Sequence, residues 1–384
     1  MSKIEWSTLP PLSLYIHIPW CVRKCPYCDF NSHEANQTLT ENEPLYIDAL
    51  LRDLENDLSL TQGRAISSIF IGGGTPSLFS ASSIARLLTG VHSIIPIISN
   101  AEITLEANPG TFEQEKFSAF FEAGVNRLSI GIQSFQSDKL ATLGRIHNSD
   151  EAKRAITIAK QAGFTNVNLD LMHGLPKQSL DDALSDLQTA IDANPTHLSW
   201  YQLTIEPNTF FYSHPPTLPD DELLWDVQEA GQELLINNGY AQYEISAYSK
   251  PNKQSAHNMN YWQFGDYLGI GAGAHGKITD LTKQTVTRLW KTRLPKDYLN
   301  AGENFIAGNN TLTAHDLLLE GLMNVLRLNE GVPLELFCER AGLSAMSVVN
   351  ELAIANDFLT NDSRVQCNEF GRRYLNNVLG MFNK

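Results

Sequence analysis

The chain has 384 residues, 43 acidic against 28 basic side chains for a net charge of −15, 42% hydrophobic residues and 18% charged ones. At roughly 150 residues per domain, this length predicts two or three domains with sizeable cores and excludes wholesale disorder. The acidic balance argues against a partner reached through a phosphate backbone, so no nucleic-acid partner is expected, and no apolar run reaches the 18 residues or more of a spanning helix.

The start, Met1 to Leu12, lacks a basic flank followed by an apolar stretch, so a cytoplasmic chain without a secretory signal is expected. Near-continuous apolar runs rich in Ile, Leu and Phe predict strands over 13–18, 67–72, 102–107, 127–133, 166–172 and 197–205. Such runs suit parallel strands covered on both faces. Helical patterns lie between them. Segment 112–123 places Phe117, Phe120 and Phe121 on one stripe and stops at Gly124; segment 151–162 does the same with Ala152, Ala155, Ile156 and Ala159, and stops at Gly163.

Six strands with crossover helices imply a right-handed parallel α/β unit. The first strand runs into cysteines, and the second into Gly72-Gly73-Gly74-Thr75-Pro76. The third carries Glu106 before Asn108-Pro109-Gly110, the fourth ends in Gln133, the fifth carries Asp170 and the sixth leads to Glu206. Polar groups at successive carboxyl ends converge on one face of a (βα) barrel, whereas a doubly wound sheet gathers them at its switch point. The expected fold is therefore α/β, a partial TIM-like (βα)6 barrel with six units rather than eight.

Beyond Pro215 the pattern changes, and three regions are expected: 1–214, 215–310 and 311–384. In the middle region 214–221 reads as a linker, 222–237 as a helix, 242–248 as a strand and 257–276 as glycine- and aromatic-rich. The last region is mainly helical. Helices over 343–355 and 368–379 flank a polar piece, 359–366, that reads as a hairpin, which predicts a winged-helix-like module for protein contact or as a lid. A nucleic-acid adaptor using that module is the reading the charge disfavours.

Cys21, Cys25 and Cys28 fall within eight residues, while Cys338 and Cys367 stand alone. An odd count in a chain without a secretory signal argues against a disulfide framework and for a metal or redox cluster. Zinc would need a fourth ligand, with His17 and His33 as candidates. Three buried structural thiols are the bland alternative. A [4Fe–4S] cluster usually takes four cysteines, and three leave one iron open to a small molecule.

Cys21-x3-Cys25-x2-Cys28, with Tyr27 before the last cysteine, resembles the signature of the radical S-adenosylmethionine (SAM) superfamily. The resemblance implies a partial (βα)6 barrel whose open iron is chelated by SAM, and SAM cleavage to methionine and a 5′-deoxyadenosyl radical. Five further motifs follow in order: Gly72-Gly-Gly-Thr-Pro-Ser77, Glu106-Ala-Asn-Pro-Gly110, Gly131-Ile-Gln-Ser-Phe135, Leu143-Gly-Arg-Ile-His147 and Asp170-Leu-Met-His-Gly-Leu-Pro176. With Tyr15-Ile-His17-Ile-Pro19-Trp20 ahead of the cysteines, they are similar to the anaerobic coproporphyrinogen III dehydrogenases and the related HemW-type haem chaperones.

That resemblance implies Cys21, Cys25 and Cys28 as cluster ligands, and Tyr15, Tyr27, Gly73, Gly74, Thr75 and Glu106 as SAM-binding positions. Gln133, Arg145 and Asp170 match positions that contact a second SAM in the dehydrogenases. On the residues alone, the glycines are as well explained by a tight turn, and Glu106 and Arg145 by surface ion pairs.

His257-Asn258-Met259-Asn260-Tyr261-Trp262 resembles the HNxxYW motif of the haem chaperones, which implies haem as a ligand and His257, Tyr261 and Trp262 as its contacts. A lone histidine or an aromatic group is more often core. Gly269-Ile-Gly-Ala-Gly-Ala-His-Gly276 is a weak phosphate cradle, because no Lys-Ser/Thr follows, and reads as a packed turn with His275 as a second ligand candidate. The dehydrogenases carry a further cysteine where this chain has Phe30, and a substantial extension where about a dozen residues precede the first strand here. The expectation is a haem chaperone that hands haem to apo haemoproteins such as respiratory-chain subunits, with a second copy of the chain, as a homodimer, a further candidate partner. The alternative is an oxygen-independent coproporphyrinogen III dehydrogenase.

Overall fold

A computed structural model describes residues 5–35, 39–110, 114–360 and 363–383. Its centre is a sheet built from β1 Leu12–Ile18, β2 Ile66–Gly73, β3 Ile97–Ala107, β4 Arg127–Gln133, β5 Val167–His173 and β6 His197–Gln202. These six strands lie in chain order, each parallel to the next. Four of the seven positions of β4 carry apolar or glycine residues, and nearly all are buried on both faces, which is why the run shows no alternation in burial. The sheet does not close: its ends, in hydrogen-bonding order, lie at opposite edges. It is nonetheless strongly curved. The Tyr201 hydroxyl on β6 donates to Gln133 Oε1 on β4 at 2.9 Å, across an intervening strand that in a flat sheet would hold them about 9–10 Å apart.

The last sequence-predicted strand is shorter than expected, ending at Gln202. The expected strand over 242–248 is a hairpin, β7 Ala241–Glu244 and β8 Ala247–Ser249, which adds two antiparallel strands beyond β6.

The glycine-rich segment contains more strand than turn. β9 Asp266–Ile270 pairs parallel with the free edge of β1, making a seventh parallel strand where six were expected. β10 His275–Asp280, β11 Thr285–Lys291 and β12 Ile306–Thr311 continue it antiparallel. The strand reads as a turn because of Gly269, where a Cβ would sit 1.9 Å from the His275 carbonyl oxygen. Close approach of β9 and β10 demands glycine there.

Helices cover the outer face. α1 Leu39–Asp57 and α2 Ala81–Ile94 pack together; α3 Ser149–Gln161 buries Ala152, Ala155, Ile156 and Ala159, the expected stripe, behind an Asn148–Glu151 capping box. α4 Leu180–Asp192 packs on α5 Asp221–Asn237. The helix expected over 112–123 is described only as Phe117–Glu122, and residues 111–113 lie outside the described residues. Phe117 and Phe120 are buried there, but Phe121 is half in solvent and leans edge-on against Phe164.

α6 Ala256–Trp262 crosses behind β1 and β2, and α7 Ala314–Val325 opens the C-terminal part. α8 Leu334–Ala341 and α9 Ala345–Leu352 follow, and Arg364–Val365 pairs antiparallel with Val332–Pro333. A bridge joins Leu359 to Cys367, so the expected hairpin is present on its described residues, with 361 and 362 outside them. The helix expected over 368–379 is broken at Tyr374 into two short ones. These elements share a second core that also takes in Trp6, Tyr243, Phe264 and Val286, which fastens them to the sheet extension. Among the described residues no helix is long and apolar enough to cross a membrane.

Candidate functional site: two adjoining cavities

The carboxyl ends of the strands surround a cavity of about 600 Å³. After β1 the chain enters Trp20–Cys21, which pairs with His33–Glu34 and pins both ends of the cysteine loop. Cys21, Cys25 and Cys28 are all half-buried and all line the cavity, which argues against thiols that are merely structural. Among the described residues no three His, Cys, Asp or Glu side chains gather as they would around one metal ion. His17 and His33 do not join the thiols: His17 shares hydrogen bonds with Tyr15 and the Asn31 carbonyl, and His33 with Asn31 Oδ1. The donor set is three spaced thiols on one wall, which fits a cluster better than a single zinc ion. Burial pushes the Cys21 and Cys28 thiols up, so an added cation would be needed to hold them as thiolates. Cys338 and Cys367 are buried in the second core.

The loop after β2 lies directly under the cysteines. Gly74 N–H donates to the Ile18 carbonyl and Thr75 N–H to the Trp20 carbonyl. A Cβ at Gly74 would meet that Trp20 carbonyl oxygen at 2.6 Å, and Gly73 sits at φ +115. Gly73 N–H donates to Glu106 Oε2 at 3.0 Å. Burial, then the Asp170 charge, raises the Glu106 carboxyl to about 7, against the pull of that Gly73 hydrogen bond. Asp170 is also raised by burial, although it accepts from Asn168 (2.8 Å) and Ser129 (3.2 Å).

Arg145 binds Asn108 Oδ1 at 2.6 Å and the Gly131 carbonyl at 2.7 Å, and its Nη1 is 3.6 Å from Cys25 Sγ. Its buried Nε has no partner. It is no surface ion pair. Gln133, at φ 70, is held by Tyr201, and Tyr27 lines the same cavity with its hydroxyl pushed up by burial.

Gly73, Gly74, Thr75, Tyr27, Glu106, Gln133, Arg145 and Asp170 are thus brought together with the three cysteines. Tyr15 is not: it faces the other cavity. Sequence reasoning missed Asn108, Ser199 and Tyr201, which line the cavity too. Ser199 pairs in register with Asp170 on β5, and Tyr201 follows two residues later. The alternation along the last strand was the signal.

A second cavity of about 570 Å³ adjoins the first, sharing Phe30, Gly73, Glu106 and Asn258 with it. Its walls include Tyr15, Phe70, Tyr261, Tyr267 and Trp290, with His17, His257 and His275. His257 is buried; its Nδ1 is 3.0 Å from Ser68 Oγ and its Nε2 2.9 Å from Tyr261 Oη. Burial, then Arg127, lowers it to about 3, so it is neutral. Trp262 lines neither cavity. It packs on the second core with the Arg327 guanidinium 4.3 Å above its ring.

An open, curved parallel sheet with three thiols in the loop after its first strand is the architecture of a radical SAM protein. Residues 15–190 match the model of the Radical SAM superfamily, and 312–374 that of the HemN C-terminal domain. The chain is 52% identical to the heme chaperone HemW of Escherichia coli (strain K12), covering 97% of this chain and 98% of that protein. It is 53% identical to the heme chaperone HemW of Haemophilus influenzae, with 97% and 98% covered. The chain belongs to the HemW family of the radical SAM superfamily. Its fold is that of the Escherichia coli radical SAM enzyme coproporphyrinogen III oxidase (HemN), with a TM-score of 0.81 at 24% identity over 98% of this chain and 91% of that one.

Proposed function

We propose that the protein is a cytoplasmic haem chaperone that carries a [4Fe–4S] cluster on Cys21, Cys25 and Cys28, holds SAM in the first cavity, and delivers haem from the second cavity to apo haemoproteins, respiratory-chain subunits among them. The observation that carries this reading is the shared wall. A cavity lined by three thiols and a buried carboxylate adjoins an aromatic cavity of ligand size, in a chain 52% identical to a heme chaperone.

When bound, a cluster with three protein thiolates supplies an open iron and single-electron reduction. The chain's own residues do the rest. Arg145 sets a positive charge beside Cys25 and offsets part of the thiolate charge. Gly73 and Gly74 let backbone approach a ligand without a Cβ in the way. Glu106, anchored by Gly73 N–H, offers a carboxylate to an ammonium group, while Thr75, Tyr27, Gln133 and Asp170 complete the polar wall. In the second cavity His257 and Tyr261 form the rigid back wall. We assign the C-terminal segment 311–384 to contact with the recipient protein.

The test is anaerobic cluster reconstitution, haem titration, and transfer of bound haem to an apo respiratory haemoprotein. Haem binding with transfer and without decarboxylation is expected. Robust decarboxylation of coproporphyrinogen III would overturn the reading.

A further inference from the structure

Three imidazoles face the second cavity, and their surroundings differ. His17 is hydrogen-bonded through both ring nitrogens, to Tyr15 and the Asn31 carbonyl. His257 is likewise engaged at both, by Ser68 and Tyr261. Neither has a lone pair to give without breaking a buried hydrogen bond, which costs about 1–3 kcal/mol for the group left unpaired. His275 is exposed, and its ring has no hydrogen-bond partner among the described residues.

The backbone fixes where that ring stands. His275 opens β10 directly opposite Trp290 on β11, so both side chains lie on one face of the ladder. The indole is seated against Gly308, where a Cβ would meet it at 2.3 Å. The result is a flat apolar surface beside an available imidazole. Although the side chain reaches solvent, partial desolvation by the cavity wall, then the nearby Arg288, lowers His275, which favours the neutral ring a metal needs.

The cations around the cavity also divide. Lys291 is buried and committed to Asp53 (2.6 Å) and Asp57 (2.7 Å). Arg293, on the rim, is exposed and makes no ion pair among the described residues, its Nε donating only to Asn31 Oδ1 at 3.4 Å.

We propose that His275, not His257, is the iron ligand of an iron porphyrin in this cavity, with the macrocycle against Trp290 and a propionate on Arg293. This deepens the haem-chaperone reading and rests on it. The strand pairing that presents His275 involves main-chain atoms only, so replacing its side chain leaves the fold in place.

The experiment titrates ferric haem, and separately metal-free protoporphyrin, into the full-length reconstituted protein, read by the position of the Soret band and by affinity. His275→Ala is expected to lose the band of imidazole-ligated iron and weaken haem binding by more than about tenfold, with metal-free porphyrin little affected. Added imidazole restores the band in His275→Gly. His257→Gln keeps the band position whatever it does to affinity. Arg293→Glu weakens both porphyrins. If His275→Ala matches wild type in band and affinity, the ligand assignment falls while the haem reading stands. If the wild-type protein binds no haem, the functional reading itself falls.

Discussion

The two adjoining cavities are built in opposite ways. The first is polar and assembled from the ends of strands β2 to β6 and the loop after β1, one or two functional groups from each. The second is aromatic and lies under the other end of the sheet, where β1 and β2 meet the strands β9 to β11. In the first, burial lifts Glu106 to about 7, and a buried arginine nitrogen is left without a hydrogen-bond partner. In the second, two of three imidazoles are tied down and only one is left available. Chemistry needing charge is thus segregated from a surface suited to a flat apolar ligand, with Phe30 and Glu106 on the boundary.

The largest effect expected is on the first cavity alone. Cys21→Ser should reduce iron and labile sulfide to background after reconstitution, while haem affinity changes little. Loss of both together would break the separation. Gly74→Ala comes next: a methyl 2.6 Å from the Trp20 carbonyl displaces the cysteine loop, and iron incorporation should fall severalfold or more. A variant with full iron content would show that the loops do not depend on that approach.

SAM binding should weaken as pH falls through about 7, because Glu106 is then protonated and loses its attraction for an ammonium group. Burial first, then the Asp170 charge, raises that pKa, against the Gly73 hydrogen bond and the Arg127 charge, while Tyr15 faces Glu106 as a neutral phenol. Glu106→Gln should bind SAM about tenfold or more weakly and without this pH slope; an unchanged slope in calorimetry would assign it to another group. Arg145→Gln removes a positive charge beside Cys25 and should move the cluster to a more negative potential, by up to about 59 mV, a tenfold effect for one electron. A shift the other way in a potentiometric titration contradicts the role given to Arg145. The smallest effect is Tyr261→Phe, which leaves His257 Nε2 unpaired and should lower stability by about 1 kcal/mol in denaturant melts, with the cluster unaffected.

The first cavity was legible because Gly73, Glu106, Gln133 and Asp170 lie at or near the carboxyl ends of apolar runs, where strand order alone makes them converge, while Arg145, after the helix Ser137–Thr142, was reached only through its motif. Ser199 and Tyr201 escaped because they belong to no motif and reach the cavity only through the curvature of the sheet, while Asn108 stood inside the Glu106-to-Gly110 motif without a role, its bond to Arg145 visible only in the fold. The second cavity was less legible for a physical reason. β9 must carry Gly269 to let β10 approach, and glycine in a strand reads as a turn. The pairing that sets His275 opposite Trp290 was therefore invisible. In the sequence, His257 and Trp262 carry the haem motif; in the fold, the first is locked in a hydrogen-bond chain and the second turned under Arg327.

The most direct test is electron paramagnetic resonance on the protein carrying both a reduced cluster and copper(II) protoporphyrin, a paramagnetic stand-in for haem that the low-potential cluster does not reduce as it would ferric haem. Because the cavities share Phe30, Gly73, Glu106 and Asn258, the two centres should speed each other's relaxation relative to samples holding either alone. Two spectra that simply add, each unchanged by the other centre, would contradict neighbouring sites and the division of labour built on them.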